Sequence, residues 1–170
     1  MAGIEVQVYG VCGFLRESSR SAELDGTCDA MTPSMLMPSV SRFMTTHPVT
    51  IDQASTLAVA HRLMQAHKIR HLPVVGDGRL VGIVSEHDVR LLERSSRLDP
   101  DIARVDQAMI PNPFIVTGDT ALDEVTEIMA EHKYGSVIVM GRDGVEGIFT
   151  AVDACQALTT ILRSAIDETA

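Results

Sequence analysis

The sequence is short of positive charge. Fourteen Lys and Arg face 23 Asp and Glu, for a net charge of −9. Nucleic-acid binding needs a basic face, so this balance argues against nucleic acid as the main partner, though not against a local basic pocket. No apolar run approaches the ~20 residues of a membrane helix. No basic stretch precedes the short apolar run near the start, and Arg16 follows it, so a secretory leader is not expected. Cysteine is scarce as well. Cys12, Cys28 and Cys155 are odd in number and form no CxxC pair. That pattern fits reduced thiols in a cytoplasmic protein and gives a zinc site no support.

What the chain does have is a repeat. Gly82-Ile83-Val84-Ser85-Glu86-His87-Asp88 returns as Gly147-Ile148-Phe149-Thr150-Ala151-Val152-Asp153. The flanks return at the same offset of 65 residues, which relates Met44 to Met109, Pro48 to Pro113, Leu57 to Leu122, Met64 to Met129 and His67-Lys68 to His132-Lys133. No gap is needed between Val40 and Asp153, so the chain carries an internal duplication. Each copy of about 60 residues would bury only a marginal core alone, and the two are expected to pack on each other.

Each copy reads as β-α-β-β-α. In the first, Val40 and Met44 suggest a short helical turn, and Pro48 leads an extended Val49-Thr50-Ile51. A helix follows with Ser55 as the expected N-cap and Leu57, Ala60, Leu63 and Met64 on its buried face. Leu72–Val75 and Leu80–Val84 are strands joined by a turn at Gly76-Asp77-Gly78, and Asp88 opens a second helix. Ser95 to Arg104 reads as a polar linker. In the second copy Thr120 and Asp123 suggest a capping box, and Leu122, Val125, Ile128 and Met129 form the apolar face. Strands are expected at Ser136–Met140 and Val145–Phe149, and a last helix from about Asp153 to Ile166. The organisation is thus a flexible extension over 1–38, in which Val6–Leu15 suits a strand, and repeats over 39–98 and 105–165. Met31, Met35 and Met37 are alternative natural starts.

In each copy the glycine admits a close backbone or ligand, and a hydroxyl and an aspartate fall where a strand gives way to a helix, a usual ligand position in α/β sheets. The aspartate can accept two hydrogen bonds, as from ribose hydroxyls, and the Ser or Thr can donate to a ribose or phosphate oxygen. Asp88 and Asp153 also suit a plain helix start, where the dipole favours a negative charge. Ser85, His87 and Asp88 do not make a hydrolase triad. A triad converges in space, and His87 becomes Val152 in the second copy. His67 and His71 straddle a helix end and a strand start, which argues against a metal site. The methionines suit a core.

The tandem resembles a pair of CBS domains, the family named after cystathionine β-synthase. The resemblance spans about Val40 to Leu162 and rests on Met-Thr-x-x-Pro-Val at Met44–Val49, His-x-x-x-x-x-Pro-Val-Val at His67–Val75 and Gly-Ile-Val-Ser-x-x-Asp at Gly82–Asp88. The second copy departs at Ile138, where the family often has proline, but keeps Gly-Ile-Phe-Thr-x-x-Asp. The resemblance implies an α/β (α+β) fold of two pseudo-symmetric repeats with two clefts that take adenosine nucleotides such as AMP, ADP, ATP or S-adenosylmethionine. It implies that each cleft draws on both repeats. Thr150, Asp153 and Ile148 would face His47, Ile69, Arg70 and His71, while Ser85, Asp88 and Ile83 would face Asn112, Tyr134, Gly135 and Ser136. Because Arg70 and the two histidines have no cationic counterparts at Gly135, Ser136 and Asn112, the Thr150/Asp153 cleft is expected to be the better nucleotide site.

The expected function is that of a stand-alone, non-enzymatic regulatory and energy-sensing module. It would hold no cofactor beyond the regulatory nucleotide, would form a homodimer through faces such as Leu57/Met64 and Leu122/Met129, and would signal in trans to a protein partner. The alternatives are a structural pair with empty clefts that serves protein association, and a module for another ligand such as nucleic acid.

Overall fold

The computed structural model describes residues 37–96 and 99–167. The strand proposed at Val6–Leu15, the bulk of the N-terminal extension, Cys12 and Cys28 lie outside the described residues.

The chain starts with a 3-10 turn at Val40–Arg42 and a two-residue strand, β1 (Thr45–Thr46). The first β-α-β-β-α unit follows as β2 (Ile51–Asp52), α1 (Leu57–His67), β3 (His71–Gly76), β4 (Arg79–Ser85) and α2 (Glu86–Ser96). A second 3-10 turn, Val105–Gln107, and a second short strand, β5 (Ile110–Pro111), lead into the next unit. That unit runs β6 (Ile115–Thr117), α3 (Leu122–His132), β7 (Ser136–Gly141), β8 (Gly144–Thr150) and α4 (Ala151–Asp167). The mixed α/β class and the repeated order are those expected from the sequence.

The repeats exchange their edges. One four-stranded sheet has the order β2-β3-β4-β5 and the other β1-β8-β7-β6. β5, which introduces the second repeat, therefore closes the sheet of the first, pairing Ile110 with Ile83 and Pro111 with Gly82. β1, which introduces the first, closes the sheet of the second, pairing Thr45 with Ile148 and Thr46 with Gly147. This exchange explains the two motif glycines. A Cβ on Gly82 would lie 2.9 Å from the Ile110 carbonyl oxygen and 2.7 Å from the Met109 sulfur, and one on Gly147 would lie 3.1 Å from the Thr45 oxygen. Of the two uses open to these glycines, the close approach is that of backbone from the other repeat.

The exchange continues into the cores. One apolar cluster joins Leu57, Ala60, Met64, Leu72, Val74, Val84 and Val89 to Ala103 and Val105 from the approach to the second repeat. The other joins Leu122, Val125, Met129, Val137, Val139, Phe149 and Ala157 to Val40 from the approach to the first. Met109 packs on the first cluster and Met44 on the second. The expected polar linker thus has structural work. The Leu57 N–H donates to the Ala103 carbonyl at 2.9 Å and the Ala58 N–H to the Pro100 carbonyl at 3.0 Å. In the matching place, the Leu122 N–H donates to the Pro38 carbonyl at 2.9 Å.

These bonds correct both expected caps. The N-cap of α1 is Thr56, whose Oγ1 accepts from the Val59 N–H, and not Ser55. At α3 the N-cap is Ala121, which has no side-chain acceptor to offer. Thr120 instead lies beside Thr117, and the Pro38 carbonyl satisfies a first-turn donor. A partner carbonyl removes the need for a capping side chain. The apolar faces expected to form a homodimer are also spent internally. Leu57, Met64, Leu122 and Met129 are all buried within the chain. The hairpin expected at Gly76-Asp77-Gly78 is present, with Gly76 the last residue of β3 and Asp77-Gly78 as its two-residue loop. Asp77 and Gly78 both have positive φ, as a type I′ turn requires.

Candidate functional site: two clefts between the repeats

Both second helices begin two residues earlier than expected, at Glu86 and Ala151. The reason is a reciprocal cap built by the repeated motif. The Ser85 hydroxyl donates to Asp88 Oδ2 at 2.6 Å, the Ser85 N–H donates to the same oxygen at 2.9 Å, and the Asp88 N–H donates to Ser85 Oγ at 3.2 Å. Thr150 and Asp153 repeat the set at 2.7, 2.8 and 3.3 Å. This is a capping box with Asp in place of the usual Glu. It gives the hydroxyls a helix-capping role beside the expected ligand contact, with their protons on the neighbouring carboxylates. Each aspartate keeps Oδ1 without a protein partner among the described residues, and a carboxylate oxygen of this kind accepts from two hydroxyls.

Around each cap lies a cavity with walls from both repeats. The first, of about 360 Å³, brings Ile148, Thr150 and Asp153 together with His47, Ile69, Arg70 and His71. The second, of about 280 Å³, brings Ile83, Ser85 and Asp88 together with Asn112, Tyr134, Gly135 and Ser136. Every candidate residue taken from the sequence falls in the cavity expected of it. The structure also adds residues. Thr45 of β1, Lys68 and His67 border the first cavity, and Ile110 of β5, Phe114 and Lys133 border the second. Lys133 corrects the view that the second cleft lacks a cation. Lys68 sits in the equivalent place, so the first cleft still differs by Arg70. The repeated His-Lys pair was the sequence signal for both lysines, and β1 and β5 were too short to show.

Backbone strain marks the same places. Five non-glycine residues among those described have positive φ, and four of them line the clefts as symmetry-related pairs, His47 with Asn112 and Lys68 with Lys133. Lys68 and Lys133 are the left-handed C-caps that end α1 and α3, a common helix ending, which leaves His47 and Asn112 as the pair that no helix end accounts for.

His71 and Gly135 border both cavities. A Cβ on Gly135 would stand 3.2 Å from His71 Nε2, so the absent side chain leaves room for the imidazole. Burial lowers the pKa of His71 below its ordinary value. The Arg70 charge lowers it further, and Asp88 opposes the shift. The second cavity has an aromatic wall that the first lacks. Tyr134 stacks on Phe114 with centroids 5.6 Å apart and on His132 at 5.3 Å. Among the described residues no three His, Cys, Asp or Glu side chains converge as a metal cluster. None of the described helices is long and apolar enough to cross a membrane.

Comparison with known proteins agrees with this fold. A family model described as the CBS domain matches residues 40–94 and 102–160. Hypoxic response protein 1 of Mycobacterium tuberculosis is 28% identical over 109 residues, which cover 64% of this chain and 76% of that protein. A solved structure from Vibrio cholerae, assigned to acetoin utilization (AcuB), superposes with a TM-score of 0.69 at 32% identity, covering 78% of this chain and 98% of the other. The structure of CBSX2 in complex with AMP superposes with a TM-score of 0.63 at 27% identity, covering 72% of this chain and 97% of CBSX2.

Proposed function

The chain belongs to the CBS domain family, and from that premise we propose that it is a cytoplasmic, non-enzymatic regulatory module that binds an adenosine nucleotide between its repeats. The observation that carries this reading is the first cleft. There an aspartate with an unpartnered oxygen, Asp153, faces Arg70, Lys68 and His47 from the other repeat across one cavity. The carboxylate suits ribose hydroxyls, Arg70 and Lys68 suit phosphates, and Ile148 and Ile69 suit a base. The complex of the related CBSX2 with AMP supports the same ligand class. A ligand that bridges the repeats stabilises the arrangement it binds, and a partner protein or a second copy reads the resulting shift.

A thermal-shift screen of AMP, ADP, ATP, S-adenosylmethionine, GTP and NAD tests the reading. A ligand at about 100 times its Kd stabilises the fold by roughly 2.7 kcal/mol. For a chain of this size that raises the midpoint by about 5–10 °C. If no adenosine compound at millimolar concentration moves the midpoint, the clefts serve protein association and not sensing.

A homodimer fits the exposed surface of α4 better than the faces first expected. Leu158, Leu162 and Ile166 recur every fourth residue and are each more than half exposed, and Leu91 of α2 is exposed as well. A self-complementary two-fold contact would cover such a stripe.

A further inference from the structure

We propose that the two clefts take different ligand classes: the first a phosphorylated nucleotide, the second a nucleoside that carries no phosphate. The proposal rests on the reading of the clefts as adenosine sites and divides them by charge and shape.

The first cleft is the cationic one. Lys68 and Arg70 border it, and among the described residues Asp153 is its only carboxylate. Among the described residues the second holds one full cation, Lys133, and one carboxylate, Asp88, which offset each other. His71 borders both cavities, and burial and the Arg70 charge lower its pKa, so it does not set the two apart. A polyphosphate in the second cavity would meet a single Lys133 already offset by Asp88, whereas in the first cleft two full cations face one carboxylate, so Coulomb attraction favours the first.

The walls differ in the same sense. Among the described residues no Phe, Tyr or Trp lines the first cavity, while the second has Phe114 and Tyr134, with Ile110 beside them. Tyr134 is 41% exposed and Ile110 54% exposed, so this cleft presents apolar surface that a base would cover. The stacks on Phe114 and His132 hold the Tyr134 ring in place, so little side-chain freedom is lost when a planar base packs against that wall. Asp88 Oδ1 and the Asn112 amide remain for the ribose hydroxyls. The second cavity is also the smaller, at about 280 against 360 Å³.

Calorimetric titration of the full chain with ATP, with adenosine, and with adenosine after saturation by ATP tests the division. The expected result is one ATP per chain and one further adenosine on the ATP-saturated protein. Aromatic contacts to a base are worth ~1–3 kcal/mol, so Tyr134→Leu should weaken that adenosine about tenfold and ATP far less. Arg70→Ala should show the opposite preference. Circular dichroism and melting of each variant establish that it is folded. Two ATP per chain, exclusion of adenosine by ATP, or an adenosine affinity indifferent to Tyr134→Leu would each overturn the division while leaving the nucleotide-binding reading intact. Failure of both ligands to bind the wild-type chain would remove both.

Discussion

At the scale of single residues, Asp153 has two roles that one substitution separates only in part. Its Oδ2 caps α4 through the Thr150 N–H and hydroxyl, and its other oxygen faces the cleft as an acceptor. Asp153→Ala is therefore expected to lower nucleotide affinity about 10- to 100-fold, since hydrogen bonds to a charged group contribute roughly 1.5–3 kcal/mol. Loss of the cap should also reduce stability by about 1 kcal/mol. Titration calorimetry reads the first effect and urea unfolding the second. A variant with the unfolding loss and unchanged affinity would reduce Asp153 to a helix cap. His71 makes a prediction about pH. Its folded pKa lies below 6.5, so the unfolded chain binds the proton more readily. Its contribution to stability is whole above pH 6.5 and is lost as the pH falls from there through the folded value. Between pH 7.5 and 5.5 the wild-type midpoint should drop by more than that of His71→Gln, as followed by thermal melts. Equal drops would place the sensitivity in other groups.

At the scale of elements, the exchanged strands β1 and β5 depend on the two motif glycines. At Gly147 an added methyl meets the Met44 side chain and the Thr45 backbone, and backbone held in a sheet cannot step aside as a flexible side chain can. Gly147→Ala is expected to destabilise the fold by about 1–3 kcal/mol, in the range of overpacked cores. The contrast is Gly78→Asn at the tip of the first hairpin. A Cβ there meets nothing within 4 Å, and Asn tolerates positive φ, so its change should be much smaller. Urea midpoints of the two variants decide the matter, and equal effects would count against the exchange as the reason for the glycine. The same elements make the clefts, since Thr45 of β1 and Ile110 of β5 each border one. A loosened edge strand should therefore weaken ligand binding along with stability.

At the scale of the whole molecule, neither repeat is complete without the other. Each contributes an edge strand to the other's sheet, a core side chain to the other's interior and a carbonyl to the other's first helix. The pair is expected to unfold as one unit. It is also expected to associate through α4. Light scattering at micromolar concentration should give a dimer mass for the wild type and a monomer mass for Leu162→Glu, which sets a charge in the middle of the exposed stripe. A wild-type monomer with and without nucleotide would rule this surface out.

The repeat and the β-α-β-β-α order were legible in the sequence, because a gapless offset of 65 residues makes each position predict its partner, while the residues of the two candidate clefts followed from the resemblance to CBS pairs. Local chemistry also sufficed for the Asp77-Gly78 turn and the apolar helix faces. Other features belong to the tertiary structure alone. β1 and β5 have two residues each, too few for a period to show, and they exist as strands only because the opposite sheet offers an edge. Ser55 and Thr120 looked like caps by type. Long-range carbonyls at Ala103 and Pro38 took over part of that task, and no local pattern signals a donor's partner more than 40 residues away. The sequence determined which residues would meet. Their packing decided that the motif glycines face backbone, that the hydroxyl protons are spent on the aspartates, and that His71 stands between the two clefts.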